Sequence, residues 1–409
     1  MNNWIKTTIL LLALCLNWSC EAEEAFAPSE PTDTPAMDST QDDNDETTTT
    51  LTDAEVLAKY LALPGTAFNY SNPNLPPYFT NGAAGDLDNT PNDNRIMNTT
   101  ATLGRVLFYD NNLSANNTIA CASCHIQDKG FSDPDQFSTG FDGGLTGRHS
   151  MSLANARYYE NGRFFWDERA ATLEDQVLMP IQDHVEMGMT LEELVTKLQA
   201  KEYYDILFTD AFGSNEVTSE RISLALAQFV RSMVSYQSKY DVGLRMTNPG
   251  NPNQPLPNFT DLENLGLRIF TDPQLGGCAG CHSTPLQTGI GAQNNGLDLR
   301  TVDEGLGAVT GNPRDDGKFK SPSLRNIGVT GPYMHDGRFA TLLEVVEHYN
   351  SGVQAHPNLD PRLRNGPGNP QPKRLNLSEQ EKQALVAFLN TLTDEVFLTD
   401  EKFSDPFIN

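Results

Sequence analysis

Positive charge is scarce in this chain: 28 Lys and Arg stand against 54 Asp and Glu, a formal net charge of −26. Nucleic-acid backbones need a basic face, so nucleic acid is excluded as a partner. A basic redox protein steered by the acidic field fits this balance; a plain solvated acidic surface fits it equally. Long apolar runs are also missing. The run from Thr8 to Leu16, preceded by Lys6, is too short to span a bilayer. With a small residue before Cys20 it reads as an export signal. Asn17-Trp18-Ser19-Cys20 is a loose lipoprotein signal, in which Cys20 carries the lipid and anchors the chain to a membrane. An ordinary cleaved signal is the alternative. Strand-like alternation is sparse too, which points to an all-α fold with Pro- and Gly-rich loops.

Cysteine is the most informative scarcity, with six in 409 residues. Four of them sit in Cys121-Ala122-Ser123-Cys124-His125 and Cys278-Ala279-Gly280-Cys281-His282. Each is a CxxCH, the c-type haem attachment pattern. Two thiols on one turn can each bond a haem vinyl group, and the adjoining His is aimed at the iron. A redox CxxC does not need the His, and half of a zinc site would not be expected to repeat the same flanking helix. Cys15 leaves with the signal, so only Cys20 is left over and no intrachain disulfide can form in an oxidising compartment. Covalent haem is attached outside the cytoplasm, in agreement with an export signal.

The composition suggests four segments. Residues 1–19 form the signal and residues 20–52 an acidic tether with almost nothing apolar to order it. The N-terminal domain covers 53–240 and the C-terminal domain 241–409. The last two share a repeat. Gly104-Arg105-Val106-Leu107-Phe108-Tyr109-Asp110 precedes the first CxxCH, and Gly266-Leu267-Arg268-Ile269-Phe270-Thr271-Asp272 precedes the second. Each copy reads as an amphipathic helix whose Gly lets another helix cross closely, followed by a haem-bearing loop. The second copy opens with a Thr260–Glu263 capping box. Further capped helices are expected at Thr190, Thr341 and Ser378, and an apolar helical pattern runs from Ile222 to Met233. The fold is thus two cytochrome c-type domains with long haem-wrapping loops.

Two CxxCH motifs with Phe165-Trp166-Asp167-Glu168-Arg169-Ala170 between them resemble the bacterial di-haem cytochrome c peroxidase family, MauG-like enzymes included, over about residues 55–395. The resemblance implies an N-terminal haem that meets hydrogen peroxide, a C-terminal haem that relays electrons, and Trp166 between them. It also implies Gln176 as the distal Gln and Glu186 as the catalytic acid–base, with His184 as a neighbour. The apolar and amide-rich surroundings of Glu186 suggest partial burial and a raised pKa. In relatives that need reductive activation a distal His stands where this chain has Phe141, so the first haem is expected to be open without prior reduction. The second haem's axial position is occupied by Tyr349, as in MauG-like enzymes, where peroxidases place Met. The stripe Leu342, Val345, Val346, Tyr349 turns Tyr349 inward and His348 toward Glu347, while His348 or Met334 as ligand stays open. Calcium on the carbonyls of Thr330 and Pro332 is also implied, although His149 replaces the family's calcium-binding Asn. His356 reads as a loop residue.

The resulting expectation is an extracytoplasmic, lipid-anchored peroxidase with two covalent haem c groups. It would reduce peroxide with electrons from a small donor such as a cytochrome c or cupredoxin. The alternative is a MauG-like enzyme that uses peroxide to oxidise residues of a partner protein or another organic substrate. A plain electron-transfer protein is the third class; it needs both irons closed by side chains, against which Phe141 argues.

Overall fold

The computed structural model describes residues 51–408 apart from Glu160, residues 248–253 and Ile290. The expected signal, Cys20 and nearly all of the tether therefore lie outside the described residues. Thr52 closes a capping box on the first described helix, Asp53–Leu57. No described helix is long and apolar enough to cross a membrane.

Two helix pairs organise the chain, each built by the repeat. Asn98–Tyr109 packs on Ser219–Ser232, and Asp261–Thr271 packs on Glu379–Asn390. The crossings depend on the two glycines. A Cβ on Gly104 would lie 2.0 Å from the carbonyl oxygen of Ala225, and one on Gly266 would lie 1.9 Å from that of Ala384. Only hydrogen fits there, so the backbones approach as the repeated Gly suggests.

The second pair has the expected capping boxes at Thr260 and Ser378. The first pair starts differently: Met97 offers no capping side chain, and its N–H donates to Gln228 Oε1 across the crossing, at 2.8 Å. Capping boxes also open Leu191–Gln199 at Thr190 and Leu342–Glu347 at Thr341. Among the described residues strand is confined to two-residue pairs. His282–Ser283 pairs antiparallel with Thr288–Gly289, and Ala292–Gln293 with Phe319–Lys320.

Apolar burial falls into two large clusters. The first runs from Leu61 to Met233 and the second from Tyr240 to Leu392. The chain does not end on the second. After the Ser378-capped helix a further helix, Glu395–Thr399, carries Phe397 and Leu398 back onto the first cluster, joined by Phe403. Phe407 then bridges to Leu61. A smaller cluster of Phe79, Tyr158, Val234 and Leu286 draws on segments of both halves. Beside it lies a fully buried ion pair, Arg325 Nη1 to Asp241 Oδ2 at 2.6 Å. Tyr78 Oη donates to the other oxygen of Asp241 at 2.7 Å.

Candidate functional site: two cavities sharing one tryptophan

Each CxxCH opens a cavity. Cys121–Cys124 is a single helical turn and Cys278–Gly280 a 3₁₀ turn, so both cysteines and the histidine of each motif face the same space. The cavities measure about 560 and 520 Å³, within the range of cofactor sites. Each histidine is oriented by the backbone. His125 Nδ1 lies 2.9 Å from the Phe131 carbonyl and His282 Nδ1 lies 3.2 Å from that of Pro322. A ring whose Nδ1–H is taken by a carbonyl presents Nε2 as a ligand, which is how metal-bound histidines are held. Burial pushes the Cys121 and Cys278 thiols up to about 12, and those of Cys124 and Cys281 to about 11. Reactive redox cysteines are shifted the other way. Paired thiols, one oriented imidazole and a large, mainly apolar cavity fit a covalently attached haem at each site.

The first cavity collects the expected catalytic groups. Gln176, at the end of the turn Leu173–Gln176, lines it, as do Glu186 and Trp166. Glu186 is half-buried and its carboxyl is raised above the ordinary value, by burial first and then by the nearby Asp183 charge, with Arg169 opposing. Its loop is anchored by Asp183 Oδ1, which accepts from the N–H groups of Val185 and Glu186 at 2.7 and 3.2 Å. The Phe141 loop is tied to it: Phe141 N–H donates to the Glu186 carbonyl at 2.9 Å. The Phe141 ring lies against Gly188, where a Cβ would meet it at 2.3 Å, and does not line the cavity. His184 is exposed and stands away from the cavity.

Trp166, the one tryptophan among the described residues, lines both cavities. It is pinned twice. Its indole N–H donates to the His149 carbonyl at 2.8 Å, and its own carbonyl accepts from Lys320 N–H at 2.7 Å. The loop that carries it is strained, with Phe165 and Glu168 at φ of 68° and 57°. Non-glycine residues in this region are uncommon and cluster at functional positions.

The second cavity presents Tyr349 and Met334 together. Asn295 Nδ2 lies 3.5 Å from both Tyr349 Oη and Met334 Sδ. Met334 sits at φ 76° in a tight turn. One expectation needs correction here. His348 is not turned out toward the Glu347 side; it is buried, with Nε2 3.1 Å from the Asn295 carbonyl, and does not line the cavity. The α-helix ends at Glu347 and a wider π-type turn follows over His348–Gly352, so a 100° step per residue no longer holds.

At the corner expected to bind calcium, Thr330 and the His149 ring are held by the protein itself. Thr330 is buried next to the cis Gly331–Pro332 bond. The His149 ring nitrogens face Ser132 Oγ and the Asp135 carbonyl, each at 3.2 Å. Calcium takes six to eight oxygens and an imidazole supplies none. Among the described residues no group of three or more His, Cys, Asp or Glu is placed to hold a metal. His356 braces its loop through Asn294, Thr301 and the Asn358 N–H.

Several cavity residues carry no signal in the sequence. Arg148 grips Asp303 with two nitrogens, at 2.7 and 2.8 Å, and Asp167 with a third at 2.6 Å. Arg169 stacks 3.5 Å from the Phe165 ring centre and bonds Asp167. Lys320 lines both cavities and is buried, with Nζ 4.1 Å from the centre of the Tyr159 ring. Arg169 is the exception, since it stands in the Trp166 motif; a lone buried Lys has no periodicity to betray it.

The model of the di-haem cytochrome c peroxidase family matches residues 98–248. The methylamine utilization protein MauG of Methylophilus methylotrophus is 31% identical over 302 residues, 74% of this chain and 84% of that protein. Cytochrome c551 peroxidase of Nitrosomonas europaea is 34% identical over 299 residues, 72% and 80% of the two chains. Among solved structures, a MauG-like protein associated with microbial copper homeostasis superposes with a TM-score of 0.67 at 32% identity, covering 83% of this chain and 99% of that one. The di-haem peroxidase BthA of Burkholderia thailandensis, at 24% identity and TM-score 0.61 over 76% of this chain and 91% of its own, shares the fold.

Proposed function

The chain belongs to the di-haem cytochrome c peroxidase family, and from that premise we propose that it is a peroxidase reducing hydrogen peroxide with electrons from a small redox protein. Two cytochrome c-type domains, 53–240 and 241–409, would each hold one haem c, in an extracytoplasmic enzyme anchored through Cys20. The supporting observation is an asymmetry: the cavities share Trp166, but Glu186 and Gln176 line only the first, and Tyr349 and Met334 only the second.

When bound, each haem supplies an iron, carried on His125 or His282, whose redox change drives peroxide reduction. The chain supplies the rest. Glu186 takes the proton from the peroxide oxygen that binds and returns it to the oxygen that leaves, which is general acid–base catalysis. Gln176 offers an amide to the same oxygens. Phe141, packed on Gly188, keeps the first cavity free of a ligand from its loop. Trp166 provides an aromatic relay between the cavities, held still at both ends. Asn295 orients Tyr349 beside the second.

Electron paramagnetic resonance of the oxidised holoenzyme is expected to show one high-spin and one low-spin haem. Two low-spin signals would contradict the open first site.

A second reading is favoured by Tyr349, which faces the second cavity with its hydroxyl pushed up to about 12 by burial, the Asn295 amide opposing. As in MauG-like relatives, peroxide would then serve to oxidise a partner protein or another organic substrate. Rapid peroxide-driven oxidation of reduced cytochrome c supports the first reading, and its absence together with substrate oxidation supports the second.

The Glu186 environment also sets the pH profile. Its ionised form must be present to take the proton, and its carboxyl lies above 4.5, the ordinary glutamate value. The acid limb of the rate should therefore lie above pH 4.5 and not below it. Arg169 draws that carboxyl down, so Arg169→Met is expected to move the limb to higher pH. An unmoved limb would mean that another group titrates.

A further inference from the structure

Beside the first cavity lies a buried group for which the proposed reaction has no use. Tyr159 is 1% exposed and lines the cavity. Its hydroxyl donates to Glu168 Oε1. Glu168 is itself only 3% exposed, and it stands at φ 57°, a conformation that disfavours any side chain. The chain accepts that strain and buries a carboxyl group on a phenol. Asn161 Nδ2 approaches the same carboxylate at 3.4 and 3.5 Å. Above the Tyr159 ring sits the Lys320 ammonium, 7% exposed, with Nζ 4.1 Å from the ring centre; burial pushes its pKa down to about 8, and the Glu168 charge opposes that shift. A phenol whose proton already points at a buried carboxylate can lose an electron without creating a charged ring, because the proton moves a fraction of the hydrogen-bond length as the electron leaves. Lys320 balances the carboxylate charge before that event. Glu168 therefore has the placing of a proton acceptor, and Tyr159 that of an electron donor at the cavity wall.

We propose that Tyr159 is a redox-active tyrosine that donates an electron toward the first haem cavity while its phenolic proton passes to Glu168. The inference rests on the peroxidase reading above. Peroxide takes up two electrons and two protons as its O–O bond breaks and two waters form. Tyr159 supplies one of those electrons: its O–H bond breaks, the proton goes to Glu168 Oε1 and a neutral phenoxyl radical is left. The haem or the donor protein supplies the other. An electron from the donor then restores the phenol as Glu168 returns the proton. Tyr159 thus acts beside Trp166, holding an oxidising equivalent when no external donor is bound.

The test is freeze-quench electron paramagnetic resonance of the full holoenzyme mixed with stoichiometric peroxide and no donor, with the haem absorption followed in parallel. The expected result is an organic radical whose hyperfine splitting collapses when the protein carries ring-deuterated tyrosine and is unchanged by ring-deuterated tryptophan. The signal should be lost in Tyr159→Phe. In Glu168→Gln it should form more slowly and in lower yield at unchanged haem content, a change that a merely structural Glu168 would not produce. If the haem spectrum responds to peroxide but the radical persists in Tyr159→Phe, or is absent from the native protein, the inference falls and the peroxidase reading stands. If the haem spectrum does not respond at all, both fall. The tyrosine labelling, done on the native chain, identifies the radical as a tyrosyl, and Glu168→Gln, which keeps all twelve tyrosines, then assigns it to Tyr159 even where Tyr159→Phe fails to fold.

Discussion

Replacing Glu186 by Gln is expected to slow peroxide consumption by about 10²–10⁴-fold, the usual worth of a positioned acid–base group, while both haems stay attached. The isosteric amide keeps the shape of the cavity wall and can neither take nor return a proton. Of the neighbouring groups, His184 is exposed outside the cavity, and Asp183 already uses Oδ1 to accept from the N–H groups of Val185 and Glu186. Stopped-flow measurement of peroxide loss, with haem content read from the pyridine haemochrome, separates chemistry from assembly. Undiminished activity at full haem content would remove Glu186 from the mechanism.

The largest effect on stability is expected from Asp241→Ala. Arg325 and Asp241 are both completely buried, and Arg325 also donates to the Pro285 carbonyl at 2.7 Å. Removing the carboxylate leaves a guanidinium charge inside the protein and Tyr78 Oη without its acceptor. Breaking such a pair from one side costs about 3–5 kcal/mol. It also removes the capping box that starts Lys239–Arg245, where Ser238 and Asp241 exchange hydrogen bonds. Denaturant unfolding of the holoprotein should show a large fall in midpoint. Replacing both partners together, Asp241→Leu with Arg325→Met, should recover much of the loss, because no charge is then stranded. A single replacement that left the midpoint unchanged would show that the pair contributes little.

Local chemistry was the legible part of this protein. The CxxCH motifs, the glycine repeated before each, and the capping boxes at Thr190, Thr260, Thr341 and Ser378 are patterns within a few residues of one another, and they recur as turns, crossings and helix starts. Less legible was whatever depended on where distant segments meet. The helix at Asn98 is started by Gln228, from the helix it crosses, and no neighbour in sequence announces that. His348 moved inward because a helix widened into a π-type turn, which a constant angular step cannot anticipate.

The sequence by itself determined that two haem-attachment motifs sit on a duplicated helix-and-loop plan, and which carboxylate, amide and tryptophan accompany them. The CxxCH turns and the helix starts are set by residues a turn apart, so spacing suffices to read them. Only the tertiary structure decided that Trp166 and Lys320 line both cavities, that Phe141 turns away onto Gly188, and that Tyr159 meets Glu168. It also returned Phe397, Leu398 and Phe403 to the first core. Those outcomes depend on long-range packing and on burying polar groups only where a partner is found, and neither leaves a periodic trace in the chain.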